Sequence, residues 1–335
     1  MPKLTLSHAS WALRLSGLLI FPAIFLFNRS LLADAFDAIG QSKPAYLVAA
    51  TALMLAASVV RAMRWRVVAE AAGVKYPHFV DYLSVYYAGL FLGAIVPQVA
   101  ASFAPVILMT EDGHSWKRSS ISILFDRLLE TVVILVFACA AAVYLFPDYH
   151  KVSVVVFTIS GGMLAGGAML VWLTSVAPRF VARFEIGPLV RLRKVTDAIE
   201  SPEAKSIYSG MRASALELAV LSSVVMVLQV SVVVLLGEAL SLHASIGFLA
   251  AAAAMVVLVV MLPISVAGLG SREGILVLLF TAAGEPKDAA IALGVLLFFV
   301  GLVARLPGIT GWLRRGGARN QSPRDATGEP MAATE

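Results

Sequence analysis

An all-α, polytopic membrane bundle is the fold class this sequence predicts, and three observations carry it. Of the 335 residues, 59% are hydrophobic and only 14% charged, with a mean hydropathy of +0.87. About seven or eight runs approach the roughly 20 apolar residues that a helix needs to cross the hydrocarbon. The basic residues gather at the ends of those runs, as topology signals and headgroup contacts. A formal charge of +5 and a pI near 9.4 therefore read as membrane electrostatics and not as the footprint of a nucleic acid. Cys139 is the only cysteine, which rules out an intrachain disulfide and a cysteine-based metal site.

Taken in order, residues 1–12 are expected on the cytoplasmic side, and the first apolar run, Leu13 to Phe27, reads as an uncleaved anchor. The second run, from Pro44 to about Met63, closes on Arg61, Arg64, Trp65 and Arg66, a basic and aromatic edge of the kind that marks the cytoplasmic interface. From Phe79 to Met109 the apolar stretch is too long for one span and is interrupted by Pro97 and Pro105. A re-entrant hairpin keeps the later loops in the orientation that basic residues favour. A span from about Ser119 to Phe146 follows, then another from Val152 to Val176, whose GGMLAGG permits close helix packing. Residues 178–212 form the one sizeable polar segment, read either as an amphipathic helix on the cytoplasmic leaflet or as a solvated loop. Ala213 to Leu236, Leu242 to Met261 and Asp288 to Leu306 supply further spans, with Glu217 and Gln229 as single polar groups inside the first of these. Residues 313–335 are expected to be a disordered cytoplasmic tail.

The stretch MLPISVAGLGSREG, Met261 to Gly274, is the feature around which the rest is arranged. Pro263 removes an amide from the helical ladder, and Gly268 and Gly270 loosen what remains. Unwound backbone persists at membrane depth only where protein or trapped water satisfies it. The helix that resumes at Ser271 and ends near Ala283 is too short to cross about 30 Å alone. VPQVAASFAPVILM, beginning at Val96, repeats the break at Pro97 in the first half of the chain, which allows an internal inverted repeat with a midplane site.

Ionisable groups beside such breaks are the candidate site. Ser271 reads as an N-cap and Glu273 as a group favoured by the helix dipole. Arg272, at the positive end of a helix, is not explained that way and fits an anion such as a lipid phosphate. Asp126 and Glu130 share a helical face, and Arg127 can pair with Glu130 one turn on. Their role is either an internal ion pair or a headgroup or proton-coupling site. Arg61 and Arg64 also share a face; they read first as an anchor and second as a phosphate holder. No spacing of metal ligands, no partnered nucleophile and no phosphate-binding loop is present, so neither a cofactor nor a metal is expected.

RAMRW at Arg61 to Trp65, GLFLGAIVP at Gly89 to Pro97, FDRLLE at Phe125 to Glu130 and above all LPISVAGLGSREG at Leu262 to Gly274 resemble the transmembrane part of lysylphosphatidylglycerol synthases and its stand-alone, flippase-like relatives. The resemblance runs from about Leu13 to Trp312 and makes 13–312 one membrane domain. It departs at Gln98 to Val106, where QVAASFAPV lacks the glycines, aspartate and arginine of the family pattern. The resemblance implies lipid handling in the cytoplasmic (inner) membrane, including translocation in the bifunctional members, with a polar lipid such as an anionic phospholipid as the expected ligand; the loss of the polar first motif makes a weakly polar lipid, a polyprenoid or hopanoid-type molecule, the second substrate class. It does not imply aminoacyl transfer, which belongs to a separate soluble domain. A membrane-embedded lipid-linked transferase, or a non-transporting partner of a separate enzyme, stays open as an alternative, as does a homo-oligomer. Nucleic acid is not expected as a partner.

Overall fold

The computed structural model describes residues 42–93, 98–145, 147–176, 202–261 and 270–310, together with 37 and 40, and every element among them is a helix. In chain order they are α1 (Pro44–Ala71), α2 (Phe79–Leu92), α3 (Gln98–Glu111), α4 (Trp116–Leu145), α5 (His150–Val176), α6 (Pro202–Ala213), α7 (Ala215–Ala239), α8 (Ile246–Met261), α9 (Ser271–Ala283) and α10 (Lys287–Val303). After α10 a turn leads into one further helical turn at 307–310. The first apolar run, most of the polar segment 178–212, the tail 313–335 and the break residues Pro97, Pro263 and Gly268 lie outside the described residues.

Four of these segments, Pro44–Ala71, Trp116–Leu145, Ala215–Ala239 and Lys287–Thr310, are long and apolar enough to cross a membrane. The surface agrees with their composition. Leu124, Leu128, Val132 and Val136 recur every fourth residue of α4 and are all exposed, and Leu216, Val220, Val224 and Val227 make a similar stripe on α7. Stripes of that size in contact with water would drive association; against acyl chains they are at rest. The chain is a multi-pass, all-helical membrane protein.

The helices on either side of each sequence break pack as an antiparallel hairpin. In the first, α2 and α3 are joined through 94–97, and a Cβ added to Gly89 would sit 2.7 Å from Cγ of Pro105, so positions equidistant from Pro97 face each other. Glycine is needed there because Pro105 occupies the space of a side chain. In the second, α8 and α9 are joined through 262–269, and Phe248 and Phe280 meet edge to face with centroids 5.0 Å apart. Each limb of the first hairpin has 14 residues, about 21 Å at 1.5 Å per residue, and is too short to cross on its own.

α8 is the buried centre of the bundle. Ala251, Ala252, Ala253 and Ala254 are each at most 1% exposed, because small side chains let the backbones of α4, α7 and α9 approach closely. Packing of this kind, and not expulsion of water, associates helices inside a bilayer. α7 runs antiparallel to α1 and makes the most extensive pairing among the described elements. The amide of Lys43 at the start of α1 donates to Ala239 O at the end of α7, at 3.2 Å, while Gly210 of α6 lies against Ala71 at the other end.

Two expectations are corrected here. α1 does not stop at the basic cluster but continues straight through it to Ala71. Arg64 is 2% exposed and Trp65 1%, so these two side chains belong to an interior seam, while Arg66 of the same edge stays exposed. Trp65 packs edge to face on Tyr82 of α2 at 6.0 Å, which gives the tryptophan a buried partner in place of the headgroup region.

Candidate functional site

Helical periodicity in α1 and α4 builds an ion-pair seam. Arg61 and Arg64 lie three residues apart on α1 and turn toward Asp126 and Glu130, four apart on α4. Arg64 Nε donates to Asp126 Oδ1 at 3.0 Å, and its Nη2 lies 3.6 Å from Glu130 Oε2. Arg61 Nε approaches Glu130 Oε1 to 3.2 Å, an ion pair without the alignment of a hydrogen bond. Arg127 Nη1 donates to Glu130 Oε2 at 3.0 Å, the one-turn pairing that the spacing suggests. Glu130 is thus shared among three guanidiniums, and Asp126 serves Arg64. Both carboxylates are nearly enclosed, with 4% and 5% exposure for Asp126 and Glu130, where a charge stands only if paired.

The seam forms one wall of a cavity of about 160 Å³. Arg61 and Arg127 reach it from the seam, Arg272 from α9, and Arg305 from the turn after α10. Glu130 is the carboxylate on its wall, and Tyr86, Ser58 and Gln229 are its neutral polar groups. Val232 and Val233 of α7, Val256, Val257 and Val260 of α8, and Leu297 of α10 make the opposite side aliphatic. Both hairpins contribute: α2 through Tyr86 and Leu90, and the α8–α9 pair through the valines and Arg272. A smaller pocket of about 40 Å³ adjoins it and shares Tyr86, Leu90, Arg127 and Arg305, with Asp126 also on its wall.

Arg272 is buried at 6% exposure. Its Nη1 donates to Gly294 O at 3.5 Å, and its guanidinium carbon stands 5.6 Å from the centroid of Phe298, near enough for an attraction to the ring face. Glu273 turns elsewhere. Its Oε2 accepts from the amide of Gly270 at 2.7 Å, while the side chain packs where a Cβ on Gly294 would come within 3.2 Å of its Cγ. The N-cap of α9 is Gly270 and not Ser271, because φ of +78° suits a glycine far better than a serine. Glu273 reaches back to bond the cap residue, one half of a capping box. Neither Ser271 nor Glu273 lines the cavity.

The structure therefore gathers Arg61, Arg127, Glu130 and Arg272 around one space, places Arg64 and Asp126 behind it as paired support, and leaves Ser271 and Glu273 at the helix start. Gln229, read from the sequence as a single polar group in an apolar run, also lines the cavity. Arg305 and Tyr86 are additions. Arg305 ends a long apolar run, so in the sequence it looks like any interfacial anchor. Its position is set by close packing: a Cβ on Gly308 would overlap the carbonyl oxygen of Tyr87 and lie 2.7 Å from Cβ of Phe91. That contact seats the last helical turn directly on α2.

A family model described as Lysylphosphatidylglycerol synthase TM region matches residues 10–308. No curated protein and no solved structure matches the chain.

Proposed function

The chain belongs to the lysylphosphatidylglycerol synthase TM region family, and from that premise we propose that it is an integral membrane protein of lipid metabolism that binds a lipid headgroup in the arginine-lined cavity and carries it across the bilayer. The observation that carries this reading is the convergence of both hairpins on one polar cavity walled on the other side by valines and leucine. Small-molecule sites that enclose a whole drug-sized ligand occupy about 300–1,000 Å³. A cavity of about 160 Å³ holds a headgroup and leaves the chains outside, among the exposed apolar stripes of α4 and α7.

Hairpins whose limbs cannot span alone are suited to moving past the fixed seam, as the discontinuous helices of transporters do. In this reading α1 and α4, locked by Arg64 and Asp126, form the frame. The α2–α3 and α8–α9 hairpins form the two gates, and Arg61, Arg127, Arg272 and Arg305 hold the headgroup between them.

The test is translocation in proteoliposomes carrying a trace of acyl-labelled fluorescent phosphatidylglycerol, read by dithionite quenching from outside. Protein that makes inner-leaflet label accessible, with the rate lost in Arg272→Gln, supports the reading. Label that stays protected in tight vesicles containing folded protein refutes translocation. Covalent conversion of the lipid would favour the transferase alternative.

A further inference from the structure

We infer that the cavity selects a lipid whose headgroup carries net negative charge on phosphate and no ammonium group, so that aminoacylated, cationic lipids are excluded from it. The inference rests on the reading of the cavity as a headgroup site and specifies its substrate class.

Charge decides it. Among the described residues, four guanidiniums and one carboxylate line the cavity. That carboxylate, Glu130, is already within 3.6 Å of Arg61, Arg64 and Arg127. Asp126 is held by Arg64, and Glu273 is turned to the amide of Gly270. Among the described residues an incoming ammonium finds no carboxylate on the wall that is not already engaged, and it meets arginines in a medium that screens like charges poorly. The connections 94–97 and 262–269, which join the gating helices, carry no Asp, Glu, Lys, Arg or His in their sequences, so neither supplies an acid.

Two side chains on the wall have donors to offer a ligand. Arg305 has neither an ion-pair nor a side-chain hydrogen-bond partner among the described residues. Gln229 is only 9% exposed, stands on the cavity wall and likewise has no hydrogen-bond partner among the described residues. With no partner among the described residues, the amide of Gln229 can donate to a ligand oxygen or hydroxyl in the cavity. Phosphate is suited to both: its oxygens accept from the guanidinium fork of Arg305 and from Arg272, and from the amide of Gln229. The aliphatic wall of valines makes the source of that phosphate an amphiphile and not the free ion.

The experiment measures lipid retention on the purified full chain. Nanodiscs would contain equal parts of dioleoylphosphatidic acid, dioleoylphosphatidylcholine and lysyl-phosphatidylglycerol, and native mass spectrometry after release would count the bound species. The expected result is retention of phosphatidic acid over lysyl-phosphatidylglycerol by about tenfold or more, a difference of about 1.4 kcal/mol. Arg305→Gln should lose that preference while unfolding at the same temperature. Gln229→Glu adds a carboxylate to the wall without removing any arginine; it should weaken retention of phosphatidic acid and admit the lysyl lipid. Lysyl-phosphatidylglycerol held as well as phosphatidic acid by the wild-type chain would overturn the inference while leaving the headgroup site intact. Retention of no lipid class at all would remove the headgroup site itself. Displacement of phosphatidic acid by inorganic phosphate at equal concentration would assign the site to a free anion and overturn the lipid assignment.

Discussion

Replacing Glu130 with glutamine removes the charge on which three arginines converge, at 3.2, 3.6 and 3.0 Å. Breaking a buried ion pair by deleting one partner costs about 3–5 kcal/mol, chiefly because a charge is stranded. Arg127 has a side chain 36% exposed and can rehydrate, so its share is discounted. Arg64, at 2%, retains Asp126. Arg61, 14% exposed, is the group left without a counter-charge, and a loss of about 3 kcal/mol is expected. Asp126→Asn should cost less, about 1–3 kcal/mol, because Arg64 keeps Glu130 and the new amide oxygen still accepts its Nε. The double variant Glu130→Gln with Arg61→Gln should recover at least about 1 kcal/mol of the single loss, as a coupled pair does. Unfolding in mixed micelles, followed by tryptophan fluorescence across a titration of denaturing detergent, gives the four free energies of the cycle. An unchanged stability for Glu130→Gln, or additive losses in the double variant, would refute the seam as a source of stability.

Other expectations follow from single contacts. Gly308→Val should push the last helical turn off Tyr87 and Phe91, displacing Arg305 and lowering the unfolding temperature; a variant of wild-type stability that still holds lipid would contradict that packing. Gly89→Val collides with Pro105 and should open the α2–α3 hairpin, seen as faster proteolysis or greater labelling of a cysteine placed at Val106. Gly284, at φ +81° with open space around it, should cost about 1 kcal/mol on change to alanine, a purely backbone effect that leaves lipid retention unchanged. Glu273→Ala removes the bond to the Gly270 amide and should cost about 0.5–2 kcal/mol, the range of a lost helix cap, again measured by detergent unfolding.

Some of this architecture was legible in the sequence because its causes are local. Pro97 and the Pro263 to Gly270 stretch mark breaks through missing amides and free glycine torsions, and the helices flanking each of them pack as a hairpin. Asp126, Arg127 and Glu130 reveal a shared face through their spacing on one helix. What the sequence could not show is convergence between elements. Arg64 and Trp65 look like a membrane edge because basic residues and tryptophan gather there too. Their chain neighbour Met63 is 41% exposed, so only one face of α1 is enclosed. The continuation of α1 to Ala71 and the arrival of α4 and α2 turn the arginine and the tryptophan inward.

Gln229 and Arg305 were hidden for the same reason. One polar residue inside an apolar run, or one arginine at its end, carries no record of which helices will surround it. Their meaning emerges only when α7, α8, α10 and the α1–α4 seam enclose a common space.

The account turns most directly on whether a headgroup occupies that space. Lipids extracted from the detergent-purified chain and from its Arg272→Gln variant, both shown to be folded, would be compared by mass spectrometry. A discrete phosphate-bearing lipid enriched on the wild-type chain and depleted on the variant is the expected result. The same nonselective bulk lipid on both would contradict the headgroup site.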